Sequence, residues 1–142
     1  MRKPIKRKKP TYKYQTVMLV DDNELDNFIN QKIIEGCHFA ENIYVNTSGV
    51  SALEFLRNIL VTKKLTSVLM PNVIFIDINM PLMDGFQFIE EHLKLTNAGK
   101  NKSKLVILTS SLSAEDKNKA AKFGNEVIFI NKPLTEESLS LI

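Results

Sequence analysis

The sequence predicts an α/β protein in which a doubly wound, five-stranded parallel sheet is flanked by five helices. Three observations lead there. Five short apolar runs, at residues 17–20, 43–45, 73–76, 105–108 and 127–130, are the right length for strands and too short for buried helices. Most are apolar throughout rather than alternating, as in strands covered on both faces. Each run is followed by a segment with helical spacing or capping signals, and strict strand–helix alternation implies right-handed crossovers and a parallel sheet.

Residues 1–14 hold seven lysines and arginines, no acid and two prolines. The expected organisation is therefore a flexible basic arm, 1–14, and one domain, 15–142. Val17-Met18-Leu19-Val20 is the first strand and runs into Asp21-Asp22. A helix should start at Asn23, with Leu25, Phe28, Ile29 and Ile33 as its buried face and Gly36 at its end. Ile43-Tyr44-Val45 ends without a charge, which suits an edge strand. The next helix groups Leu53, Leu56 and Leu60, with Ala52 and Ile59 beside them.

Val73-Ile74-Phe75-Ile76 is the most continuously apolar strand and leads directly into Asp77. Pro81 and Asp84-Gly85 mark a turn. The helix beyond should turn Phe86, Ile89 and Leu93 inward, and residues 96–104 form a polar loop. Leu105-Val106-Ile107-Leu108 ends in Thr109-Ser110-Ser111. Residues 113–123 form a helix capped by Ser113, whose apolar face is thin: Ala114, Ala120, Ala121 and Phe123. Val127-Ile128-Phe129-Ile130 precedes Asn131-Lys132-Pro133, and a final helix from about Thr135 buries Leu139 and Ile142.

The chain has 142 residues, 44% apolar and 25% charged, the size and composition of one globular domain. No stretch approaches the roughly 18 apolar residues of a membrane span. The basic N-terminus is not followed by an apolar signal segment, and the single Cys37 excludes an internal disulfide framework. A reducing, cytoplasmic location is expected. The net charge of +3 divides into the basic arm and a remainder with 12 basic and 16 acidic residues. The arm, with Tyr12 and Tyr14, has the charge to touch nucleic acid or acidic lipid, although such runs are ordinarily solvated tails. Cys37, His38 and His92 have no metal-ligand spacing and are expected to pack or lie at the surface. No Gly-x-Gly-x-x-Gly and no Gly-Lys-Ser/Thr phosphate loop follows a strand, so a dinucleotide or nucleoside triphosphate site is not supported.

In an open parallel sheet, ligands bind beyond the carboxyl ends of the strands, where the strand order reverses. The chemistry collects there. The first strand delivers Asp21 and Asp22, the third Asp77, the fourth Thr109, and the fifth leads to Lys132. Three carboxylates in one cleft repel, and a hard divalent cation relieves them; magnesium suits a site of carboxylates, waters and a phosphate. Asp77 is then a plausible nucleophile towards phosphorus, with Lys132 and Thr109 as donors to the new phosphoryl oxygens.

These residues resemble the motifs of a two-component response regulator receiver domain of the chemotaxis-receiver kind. The carriers are Val20-Asp21-Asp22-Asn23, Asp77-Ile78-Asn79-Met80-Pro81-Leu82-Met83-Asp84-Gly85, Leu108-Thr109-Ser110 and Asn131-Lys132-Pro133, in order over about residues 15–142. The resemblance implies a flavodoxin-like sheet of order 2-1-3-4-5. It implies that Asp77 is the phosphoacceptor and that Asp21, Asp22 and the backbone carbonyl of Asn79 join it around Mg2+, Asp22 more directly than Asp21. Lys132 pairs with Asp77 or its phosphoryl oxygens, across a cis peptide bond to Pro133. Thr109 is the switch hydroxyl, and Phe129 stands at the aromatic switch position without a hydroxyl of its own. Ser110 stands where the family more often has alanine. The implied partners are a sensor histidine kinase or histidine phosphotransfer protein and a downstream protein or output domain.

Two other functions use similar residues. A phosphatase of the haloacid dehalogenase kind also needs a strand-end Asp, magnesium, Thr or Ser and Lys. It further requires an acid two places after the nucleophile, where this chain has Asn79. A module that only binds partners would have no use for the intact acidic set. The expected function is thus a phosphoacceptor that signals by changing shape and is not an enzyme acting on other substrates. The thinly anchored segment after Thr109, together with the fifth strand, is its expected output surface.

Overall fold

The computed structural model describes residues 9–96 and 102–142. The first eight residues of the expected arm, and residues 97–101 of the expected loop, lie outside the described residues. Five parallel strands, β1 (Tyr14–Val20), β2 (Ala40–Asn46), β3 (Val73–Ile76), β4 (Lys104–Thr109) and β5 (Val127–Asn131), form one sheet in the order β2-β1-β3-β4-β5. The helices are α1 (Glu24–Gly36), α2 (Gly49–Val61), α3 (Thr66–Leu69), α4 (Gly85–Leu95), α5 (Ala114–Ala121) and α6 (Glu136–Ser140). The doubly wound architecture and its strand order are those expected. The short α3 is an addition, tied back to α2 by the Thr66 hydroxyl, which donates to the carbonyl of Ile59 at 3.1 Å.

Alternation along the central strands divides the core between two faces. On one, Met18, Val20, Ile74, Ile76, Leu105 and Ile107 meet Leu53 and Leu56 of α2, Phe88 and Ile89 of α4 and Ala120 of α5. On the other, Val17, Leu19, Val73, Phe75, Val106 and Leu108 meet Ile34 of α1 and Leu139 of α6. Burial on both faces is why Val17–Val20 of β1, the whole of β3 and Leu105–Leu108 of β4 carry no polar residue.

β1 starts three residues earlier than the apolar run implies. Tyr14, assigned to the arm, pairs with Ala40, and its amide donates to the carbonyl of Phe39 at 2.9 Å. Its hydroxyl donates to the carbonyl of Ile142 at 3.1 Å and accepts from Lys104 Nζ at 2.9 Å, so this tyrosine fastens the sheet to the C-terminal segment.

The phase of α1 overturns its expected buried face. Leu25, Phe28 and Ile29 are 65%, 58% and 40% exposed, and Ile33 is half-buried. The buried positions are Asn27, Asn30 and Ile34. Spacing alone fits either face; the amides turn inward because the N-terminal half of α1 lies over the polar strand ends, where Asn27 Nδ2 donates to the carbonyl of Asp21 at 2.8 Å. Leucine and phenylalanine side chains have no polar atom to offer there.

α4 also differs in detail. Phe86, Phe88, Ile89 and His92 are its buried residues, and Leu93 only borders the core. His92 stacks on Phe88 with ring centroids 6.1 Å apart, and its Nδ1 is buried without a hydrogen-bond partner. Burial pushes its pKa down to about 4. An unfolded chain binds this proton near pH 6.5, whereas the folded chain refuses it until about pH 4. Between those values the unfolded state holds more protons, so stability should rise with pH across that window and fall on acidification. Urea unfolding at pH 7.5 and 4.5 should show an acid loss that is smaller in His92→Leu, by on the order of 2 kcal/mol; equal losses in both proteins would refute this.

Candidate functional site

The site forms where the strand order reverses, with β1 central and its successors on either side. Asp21 directly follows β1, and its amide continues the ladder by donating to the carbonyl of Asn46 at 3.1 Å. Asp77 directly follows β3 and does the same, its amide donating to the carbonyl of Val20 at 2.9 Å. Adjacent, in-register strands thus hold the two backbones rigidly side by side. Asp21 and Asp77 are buried while Asp22 is exposed. Each of the three offers a carboxylate oxygen within 4.8 Å of the others'.

Lys132 arrives from β5. Its amide donates to the carbonyl of Thr109 at 2.8 Å, and the peptide bond to Pro133 is cis, as expected. Its ammonium donates to Asp21 Oδ2 at 2.6 Å and to Asp26 Oδ2 at 2.8 Å, and lies 3.6 Å from Asp77 Oδ1. Burial alone would lower the lysine's pKa; hydrogen bonds to Asp21 and Asp26 outweigh it and hold the pKa above the ordinary value. Asp77 is pushed up to about 6, by burial first and then by the charge of Asp21, with Lys132 and the Ile78 amide opposing and Asp22 adding to the rise.

That imbalance, three crowded carboxylates whose ammonium is already engaged, is what a small hard cation would relieve. The donor set is all oxygen and fits magnesium, which Asp21, Asp22 and Asp77 are placed to hold. Asn79, two residues after Asp77, is exposed in the loop that leaves β3.

Thr109, at the end of β4, is fully buried; its Oγ1 accepts from the amide of Ser111 at 3.1 Å. Asn131 Nδ2 donates to the carbonyl of Ser111 at 2.8 Å, tying this loop to β5. Ser110 is exposed. Phe129, half-buried, pairs in register with Ile107 and packs on the same core face. The predicted residues Asp21, Asp22, Asp77 and Lys132 are therefore brought together, Thr109 stands on the same rim on β4, the strand between those that lead to Asp77 and Lys132, and Phe129 sits deeper in β5.

Sequence reasoning missed Asp26 and Asn27. The signal was an acid and an amide in the first turns of α1, but phasing the helix on Leu25, Phe28 and Ile29 turned them to solvent.

The loop from Asp77 to α4 is tightly fitted. A Cβ at Gly85 would lie 2.5 Å from the Asp77 carbonyl oxygen, so only glycine lets α4 start against the site. Asp84 caps that helix in a reciprocal pair with Gln87. Between them and Pro81, Leu82 adopts φ 68° and is 99% exposed, an unfavourable region for a leucine.

The family model of the response regulator receiver domain matches residues 17–142, and the chain belongs to that family. A two-component response regulator from Cytophaga hutchinsonii is 34% identical, with a TM-score of 0.77 over 89% of this chain and 92% of that one. The receiver domain of the histidine kinase CKI1 from Arabidopsis thaliana, complexed with Mg2+, shares the fold at 19% identity, with a TM-score of 0.75 and 89% of each chain covered. The sensor histidine kinase CheAY of Helicobacter pylori is 29% identical over 126 residues, 89% of this chain, which spans only 14% of that protein's length. The chain is thus a receiver domain of two-component phosphorelay signalling. Among the described residues, no helix is long and apolar enough to cross a membrane.

Two outcomes follow from this geometry. Asp22→Asn, by removing one of three repelling charges, should raise the thermal midpoint in EDTA by a few degrees and shrink the further rise produced by magnesium; an undiminished magnesium effect would exclude Asp22 as a ligand. Leu82→Asn, which suits positive φ better, should stabilise the protein by about 0.5–1 kcal/mol in chemical unfolding; a loss of stability would show that the exposed leucine is not strained.

Proposed function

We propose that Asp77 accepts a phosphoryl group from a histidine kinase or histidine phosphotransfer protein, and that the phosphorylated domain switches shape through Thr109 and Phe129. The observation carrying this reading is the convergence of Asp21, Asp22, Asp77 and Lys132 on one rim.

The Asp77 carboxylate oxygen attacks phosphorus in line, the bond from phosphorus to the donor's imidazole nitrogen breaks, and the leaving nitrogen keeps the electron pair. Asp21 and Asp22, with the Asn79 carbonyl, would hold Mg2+ beside Asp77; the Arabidopsis receiver domain that shares this fold was itself solved complexed with Mg2+. When bound, the ion neutralises carboxylate charge and withdraws charge from the phosphoryl oxygens. Asp77, whose pKa burial raises to about 6, is mostly ionised at neutral pH, and the ion would hold it more fully so. Lys132 donates to one phosphoryl oxygen and the Thr109 hydroxyl to another. Water later attacks phosphorus in the same frame and returns Asp77 and inorganic phosphate.

For Thr109 to reach the phosphoryl group, its hydroxyl exchanges the Ser111 amide for a phosphoryl oxygen. The loop held by Asn131 then moves, and Phe129 follows into the space left behind. α5 has a single buried residue, Ala120, so little core packing resists its displacement. The α5–β5 face is the output surface. The exposed Leu25, Phe28 and Ile29 beside Asp22 offer the phosphodonor an apolar seat. We place the domain, with Tyr14 included in its sheet, in the cytoplasm and give the basic N-terminal run no binding role; salt-sensitive DNA binding lost on deleting residues 1–13 would assign that run to nucleic acid instead.

Incubation with acetyl phosphate and magnesium should add one phosphoryl group by intact mass, and none to Asp77→Ala. Hydrogen exchange should change in α5 and β5 of the phosphorylated protein, and much less in Thr109→Val. Continuous release of phosphate from many small esters would point to a phosphatase, and no incorporation at all would leave a binding module.

A further inference from the structure

Lys132 is shared unequally. Two of its three ammonium protons go to Asp21 and Asp26, at 2.6 and 2.8 Å, while Asp77 stands at 3.6 Å, outside hydrogen-bonding distance. Asp26 projects from the first turn of α1, where the Asn23 side chain caps its amide, and its carboxylate is about one-third exposed. A carboxylate in a first turn has an ordinary role with the helix dipole. Glu24 occupies the same turn and serves that role equally, yet only Asp26 reaches across to β5's lysine.

Resting on the phosphoacceptor reading of Asp77, we infer that Asp26 is a positioning residue that acts through Lys132 to oppose the phosphorylated state. Two effects run in the same direction. Asp26 holds the ammonium by a charge-assisted hydrogen bond in the unphosphorylated protein, and a phosphoryl oxygen on Asp77 has to compete for it. Its negative charge also stays near the incoming anion and repels it. A group that interacts better with one of two states shifts the equilibrium towards that state by the difference. Asp26 therefore shortens the lifetime of the signal and sets how strongly a donor must push.

The test is the affinity of the full chain for beryllofluoride, a mimic of the phosphoryl group on Asp77, titrated in magnesium and followed by 19F NMR. Asp26→Asn and Asp26→Ser should each bind it about three- to tenfold more tightly, the scale of one partly solvated charge contact. Their acetyl-phosphate-derived phosphoryl group should decay more slowly by a similar factor. Asp26→Glu should restore wild-type behaviour, and Glu24→Gln, which removes a charge from the same turn without touching Lys132, should change neither reading. Unchanged or weakened binding in both Asp26 variants overturns the role of Asp26, as does an equal effect in Glu24→Gln. Failure of the wild-type chain to bind beryllofluoride would overturn the Asp77 reading itself.

Discussion

One ammonium group among four carboxylates is the constraint on which this molecule turns. Lys132 satisfies Asp21 and Asp26 directly and leaves Asp77 a little short of a partner. Such an arrangement is tolerable only because the backbones beneath it are fixed by the sheet. Asp21 and Asp77 continue the ladders of β1 and β3, and Lys132 continues that of β5. Like charges are held close by hydrogen bonds that do not depend on them. The residual repulsion remains in the folded protein as an appetite for positive charge and a readiness to change when the local charge changes.

The β4–β5 side of the domain is built with the opposite economy. Thr109 is buried and hydrogen-bonded to Ser111, but the helix beyond it buries one small side chain. A firmly held hydroxyl is thereby joined to a lightly anchored helix. On the far side of the site, α4 begins hard against the Asp77 carbonyl at a glycine. The helices on the two flanks of the phosphoacceptor candidate thus have different freedom: α4 is fitted to the rim, and α5 rests on it.

Most of the fold was legible in the sequence because fully buried parallel strands announce themselves as unbroken apolar runs, and because four of the five runs lead into a residue of the rim. Asp21, Asp22, Asp77 and Lys132 could be placed on one rim from topology alone. What was not legible came from α1. Its leucine, phenylalanine and isoleucine satisfied helical periodicity, yet a helix lying over a polar rim needs amides and acids beneath it. Asn27 and Asn30 took the buried positions, and Asp26, the second partner of Lys132, was lost with them. Tyr14 was missed for a related reason: a long hydrogen bond to Ile142, not local pattern, draws it into the sheet. His92, by contrast, packs in the core, one of the two places expected for it.

The reversed phase of α1 has an evolutionary consequence. Because Leu25, Phe28 and Ile29 contribute little to the interior, substitutions there are nearly free of folding cost. That stripe can drift to match or avoid a given neighbour while the acids one step round the helix stay put. Duplicated copies of such a gene would then diverge along this surface stripe before they diverge at the charged rim.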